Sequence, residues 1–288
     1  MPMSSPDPAV QAFASTGPAA RGRGLIAVGL LCTAGMLFAQ PLPTASEVTR
    51  RMIERSASVA GQTNAPRYVC EKRSRLEHRD SAGQTTHIEE KWYQVTWIAG
   101  FPFNRLVRVQ GRTLTPAELD HEQRREEHFR ERITSLNPRQ MAARREGWVT
   151  ATLLNRFDYY VKERVLLHGR PTLIVQFFPR PGGPFGSHLR DRLLGALAGT
   201  LWVDEQDMEV SLLQVHLCGA ISLGWLGLLG SLSQCDLEVE RQRMPEGVWL
   251  NTRQRVHLQA RRLATPIRFT LTEEYSDFVC LGAMATRP

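Results

Sequence analysis

Apolar and polar residues alternate along much of this chain. In residues 267–278, Ile267, Phe269 and Leu271 stand against Arg268, Thr270 and Thr272, a period of two that buries one face of a strand and wets the other. The same pattern predicts strands over 237–244 and 248–259. Upstream, 67–79 and 85–98 are rich in Tyr, Val, Thr and Trp and are divided by Asp80-Ser81-Ala82-Gly83, which predicts a hairpin. Residues 103–110 supply a third strand, and 159–167, 172–178, 201–204 and 208–217 continue the series. One-sided alternation predicts an antiparallel sheet and not a doubly wound one. Its register matters, because a slip of one residue exchanges the two faces.

Helical periods interrupt the strands in two places. Thr44 and Glu47 form a capping box ahead of Val48, Met52 and Ile53, which share one face of a helix over 46–60. Thr115, Pro116 and Glu118 repeat that signal with proline at the favoured first position, so a second helix runs to about residue 135. A third starts at Asn137-Pro138 and carries Met141, Leu153 and Leu154 toward Arg156. Residues 179–187, rich in Pro and Gly, read as a loop within the sheet. The expected organisation is therefore an N-terminal segment 1–39, a helix and linker over 40–65, and a β domain over 66–288 with a helical insertion at about 116–156.

Residues 25–39 form an uncharged apolar run behind Arg21 and Arg23 and before Gln40-Pro41, the pattern of a secretory signal. The run is shorter than the roughly 20 apolar residues that span a bilayer comfortably, although retention as an N-terminal anchor is the alternative. Either reading places the protein in the periplasm or cell envelope. The formal charge of +7 loses one unit net if Asp7, Arg21 and Arg23 are removed with the signal. Such an excess suits anionic surfaces, such as phospholipid headgroups, and is not by itself a nucleic-acid signature.

Export leaves Cys70, Cys218, Cys235 and Cys280, an even number that allows three pairings in an oxidising compartment. Cys218 with Cys235 is favoured, since both close strands beside one apolar loop, which leaves Cys70 with Cys280. Four buried free thiols are the alternative. None lies in a CxxC or a Cys/His zinc spacing, so neither redox chemistry nor structural zinc is expected.

Other chemistry is equally thin. His121 and His128 flank a charged helix, but Arg125 and Arg124 stand where zincin motifs need histidine. No G-x-S-x-G elbow occurs, and the prolines of Pro181-Gly182-Gly183-Pro184 remove donors that a phosphate cradle requires. Glu89-Glu90 and Glu273-Glu274 are adjacent on strands and so point to opposite faces. No catalytic residue, metal or cofactor is expected. The unusual apolar stretch is 219–232, with Trp225 inside it and glycines throughout. It reads as a loop packed on the sheet or as a flexible wall against a lipid chain, with Leu193, Leu194 and Leu197 as a second such element.

Across 66–279 the chain resembles exported proteins of the outer-membrane lipoprotein carrier and sorting superfamily. The matching features are Arg67-Tyr68-Val69-Cys70-Glu71, Trp92-Tyr93-Gln94-Val95, Asn104-Arg105-Leu106, Gly169-Arg170-Pro171, Leu201-Trp202-Val203-Asp204, Gly247-Val248-Trp249-Leu250-Asn251 and Tyr275-Ser276-Asp277-Phe278. The resemblance implies an α+β fold, in which a curved antiparallel sheet forms an incomplete barrel with helices on its concave side over an apolar cavity. It also implies carriage of a lipid or acylated lipoprotein without catalysis. The alternative is an envelope sensor or protein-interaction module on the same fold. Trp92, Trp97, Phe177, Trp202, Trp225, Trp249 and Phe269 are the cavity candidates, each equally readable as core packing.

Overall fold

The computed structural model describes residues 41–62, 65–145, 149–182, 188–223, 230–263 and 265–282. The expected signal or anchor over 1–39 lies outside them, as does Trp225. Among the described residues no helix is long and apolar enough to cross a membrane.

Helix α1 (Ala45–Gly61) opens the order and is capped as its sequence predicts, with the Glu47 N–H donating to Thr44 Oγ1 at 3.2 Å. Strands β1 (Arg67–Arg79), β2 (Thr85–Ile98), β3 (Phe101–Val109) and the short β4 (Arg112–Thr113) form a meander. Helices α2 (Pro116–Thr134), α3 (Pro138–Arg145) and α4 (Ala151–Leu154) follow. Next come β5 (Phe157–Leu167), β6 (Arg170–Pro179), helix α5 (Leu189–Leu194), β7 (Leu197–Asp204), β8 (Val210–Leu217) and β9 (Ile221–Leu223). The chain then finishes with β10 (Gly230–Arg243), β11 (Trp249–Arg262) and β12 (Thr265–Leu281). The insertion expected at 219–232 thus contributes β9 and the first residues of β10, which pair with each other.

All the pairings are antiparallel, and the strands make one open sheet in the order β4-β3-β2-β1-β12-β11-β10-β8-β7-β6-β5, with β9 attached to β10. The fold is α+β. Register defines its two faces. Leu76, Leu271, Val256, Leu237, Val215, Gly199, Phe177 and Tyr159 are successive partners across eight strands, so they form one apolar row on one face, here the inner face. Gly199 is required in that row: a Cβ there would sit 2.1 Å from the Gln214 carbonyl oxygen and 2.9 Å from the Phe177 ring.

Helix α1 lies on this inner face over β5–β8. Its Val48 and Met52 are buried together with Leu173, Val175, Phe177, Leu201, Val203 and Val210. The spacing of Val48 and Met52 places them on one helical stripe, and each fully buried aliphatic side chain contributes about 1.5–3 kcal/mol.

Helix α2 does something different, because it closes an edge of the sheet. Past Val107 the outer side of β3 pairs only with β4, through Arg108 and Val109. Buried Glu122 accepts the Leu106 N–H at 3.0 Å and is held by Arg125, whose Nε donates to Oε2 at 2.8 Å. Phe129 meets Phe103 at 5.1 Å between ring centroids. The other edge, β5, carries a register shift between Val161 and Glu163 and the exposed charges of Lys162 and Glu163. Both are devices that stop a sheet from pairing with another chain.

Truncation of a residue under α1 is expected to cost more than truncation on the opposite face. Leu173→Ala should lower unfolding free energy by about 2–5 kcal/mol. Phe178→Ala, at a half-exposed position on the other face, should change it by about 0.5 kcal/mol or less, as read by urea denaturation.

Candidate functional site

A cavity of about 360 Å³ borders α1, lined by Met52, Arg55 and Val59 of the helix, Arg67 of β1, Trp97 and Phe101 near the β2–β3 turn, and Met208, Glu209 and Val210 at the β7–β8 turn. Four strands separate β2 from β8 in the sheet order, yet residues from both ends meet the same helix. The sheet therefore bends around α1, and the inner face is its concave side.

Coverage of that face is uneven. Beneath α1 the row residues Phe177 and Gly199 are buried, with Tyr159 and Val215 packed beside the core and partly buried, and further along the row Leu237, Val256, Leu271 and Leu76 are partly buried outside that core. Neighbouring inner-face residues Val239, Leu258 and Phe269 are half-buried too, and Ile267 is 36% exposed. Apolar surface left at the edge of solvent in one contiguous strip is the usual composition of a ligand or partner site.

The strip ends at a polar group. Buried Lys72 pairs with Glu273 at 2.7 Å and lies 5.3 and 5.8 Å from the rings of Tyr93 and Tyr275. Tyr275 donates to Glu273 at 3.2 Å. Burial, then the Glu273 charge, keeps the Tyr275 phenol protonated well above its usual range. A tyrosine that stays neutral remains a hydrogen-bond donor at this end of the strip.

The aromatic candidates divide among several places. Phe177 belongs to the core under α1, in edge contact with Phe157 at 5.2 Å. Phe269 stands on the open part of the inner face, opposite Leu258 and His78. Trp97 borders the cavity, with its indole N–H on the Tyr68 carbonyl at 2.8 Å. Trp92 and Trp202 lie on the outer face, as their partners Arg73 and Leu212 show by register. The Arg73 guanidinium covers the Trp92 ring at 5.6 Å.

Trp249 is anchored elsewhere again, donating to Asp207 Oδ2 at 3.0 Å. Asp207 also accepts from Arg243 at 2.6 Å and lies 3.2 Å from Arg170. Burial opposes ionisation of Asp207, but the Trp249 and Arg243 hydrogen bonds and the two arginine charges outweigh it and hold the carboxyl below its usual range. Beside it, Asp204 is 1% exposed, accepts Arg170 Nη2 at 2.8 Å and closes its own turn by accepting from Asp207 N at 2.8 Å. These carboxylates are spent on structure.

His121 and His128 are exposed on α2, where His128 lies 3.6 Å from Glu131. Nothing in the charged sequence of this helix singles out Glu122, whose role depends on an edge strand that only tertiary pairing creates.

The expected Cys218–Cys235 disulfide is not formed, and the four described cysteines are free thiols. Asp236 pairs with His216, so continuing that register sets Cys235 opposite Leu217. Cys218 falls one residue beyond, past the end of β8, where its N–H donates to the Ala196 carbonyl at 2.7 Å. Cys280 faces Tyr68, and a bulge between Val69 and Glu71 separates it from Cys70. Burial pushes the Cys70 thiol up to about 11 against the opposing charge of Lys72.

No protein-family model matches this chain, and no curated protein does. Several solved structures are similar at low identity. A proposed outer membrane lipoprotein-sorting domain from Vibrio parahaemolyticus is 8% identical with a TM-score of 0.34, over 84% of this chain and 96% of that one. A LolA superfamily protein from Nitrosomonas europaea is 8% identical with a TM-score of 0.27, over 80% and 92%. MucB in complex with MucA, from Pseudomonas aeruginosa, is 13% identical with a TM-score of 0.25, over 80% and 94%.

The thiol arrangement has a direct chemical readout. In non-reduced native protein at pH 8, exposed Cys218 should alkylate readily while Cys70 reacts only after unfolding, as mapped by mass spectrometry. Because the folded pKa of Cys70 is raised, its contribution to stability is complete below the ordinary thiol range and is lost as pH rises toward about 11.

Proposed function

We propose that this is an exported, non-enzymatic binding protein of the bacterial cell envelope that holds a lipid or a lipid-modified protein against its concave face. One observation carries the reading: the cross-strand apolar row Phe177-Gly199-Val215-Leu237-Val256-Leu271-Leu76 is buried at Phe177 and Gly199 and only partly buried from Val215 onward. A narrow apolar strip several strands long matches an extended acyl chain better than a folded partner. The free energy available is consistent with that, at about 0.8 kcal/mol for each methylene removed from water.

Binding here needs no chemistry from the protein. Non-directional apolar contact along the strip supplies affinity, and the mutually paired Lys72, Glu273 and Tyr275 bound it with a polar group. The outer face supports a solvent-facing role, since its charges are paired across strands, as in Arg73 of β1 with Glu90 of β2 and Arg253 of β11 with Glu240 of β10 at 3.6 Å.

Native mass spectrometry of the exported protein is expected to find co-purified acyl-containing mass, and an interior consistently free of lipid would overturn the proposal. Val256→Glu, which places a charge in the middle of the strip, should abolish that mass. Arg255→Glu, one residue away on the outer face, should leave it in place.

A further inference from the structure

Among the described residues, four arginines, Arg55, Arg67, Arg144 and Arg241, line the cavity beside α1 against a single acidic residue, Glu209. Glu209 is shared between Arg55 at 3.2 Å and Arg241 at 2.9 Å. Among the described residues neither Arg67 nor Arg144 has a carboxylate partner. Like charges gathered in a concave, partly apolar space repel one another, and the repulsion is relieved when an anion enters.

Arg67 is also prepared for such a partner. Its guanidinium lies 5.4 Å from the centroid of Trp97, a contact that fixes the position of the charge without occupying its N–H groups. Trp97 is itself fixed by its hydrogen bond to Tyr68. A held guanidinium loses less conformational freedom on pairing with a carboxylate or phosphate than a free one would.

Charge alone does not describe the space. Met52, Val59, Phe101 and Val210 line the same cavity, and its volume of about 360 Å³ falls in the range of roughly 300–1,000 Å³ seen for small-molecule sites. A free inorganic anion gains nothing from those apolar walls, and a neutral chain leaves the arginines uncompensated. We infer that the cavity seats the anionic head of a single-chain amphiphile, with its phosphate or carboxylate on Arg67 and Arg144 and the first part of its chain against Met52, Val59 and Phe101. The inference rests on the lipid-binding reading above and adds to it the class of head group and the place where that group sits.

The test uses the full chain and three probes below their micellar concentrations: decyl phosphate, decanol and inorganic phosphate, followed by titration calorimetry. Decyl phosphate is expected to bind at least tenfold more tightly than decanol, and inorganic phosphate more weakly than either. In Arg67→Gln with Arg144→Gln the advantage over decanol should vanish while decanol affinity stays unchanged, which also shows that the variant is folded. Equal affinities for decyl phosphate and decanol would overturn the head-group assignment and leave the lipid-binding reading standing. Inorganic phosphate bound as tightly as decyl phosphate would overturn it in favour of a simple anion site. An unchanged preference in the double variant would overturn the placement on these two arginines. Failure of both decyl compounds to bind would remove the inference together with the reading on which it rests.

Discussion

A short helix is asked to cover a wide sheet, and most of this structure follows from that mismatch. Helix α1 has 17 residues and is therefore about 26 Å long. Eleven strands on one path, at about 4.8 Å between neighbours, extend roughly 48 Å across. The sheet responds by bending, which brings the β2–β3 turn and the β7–β8 turn to one cavity beside that helix. Bending shortens the distance but does not close the barrel. Val48 and Met52 reach the residues of β6–β8, and the apolar row continues beyond them with only partial burial.

An open sheet must also protect its ends, and here the two ends are handled by unlike means. At β3 the exposed N–H of Leu106 is taken by a carboxylate from α2, with Arg125 neutralising the charge that this buries. At β5 the strand is spoiled as a template by its register shift and its charged side chains. Interior charges follow the same economy of partners. Arg170, Asp204, Asp207 and Arg243 form a chain in which each carboxylate meets more than one donor, so a buried group such as Asp204 is not left unpaired.

Strand identity was readable from alternation wherever one face is apolar, as in 267–278, and the caps at Thr44 and Thr115 were readable from local hydrogen-bonding chemistry. Pairing was not. Trp92 and Trp202 looked like cavity residues because they are large and lie in strands, but the face of a strand residue depends on its register and parity, which only the neighbouring strand defines. The same difficulty undid the cysteine pairing, where a single residue separates Cys218 from a position that faces Cys235. The strands β9 and early β10 were hidden within an apolar, glycine-rich segment that carries no period of two. The cavity arginines are scattered through the chain as residues 55, 67, 144 and 241, and only the bend of the sheet gathers them.

The central pairing of β1 with β12 joins strands from the two ends of the described chain, with Lys72 opposite Tyr275 and Leu76 opposite Leu271. Contacts between residues so distant in sequence form slowly, because chain entropy must be given up before they are made. During synthesis the hairpin of β1 and β2 emerges before its other neighbour, and it waits until residues 99–264 have followed and β12 begins. The middle of the sheet is thus the last part to be sealed.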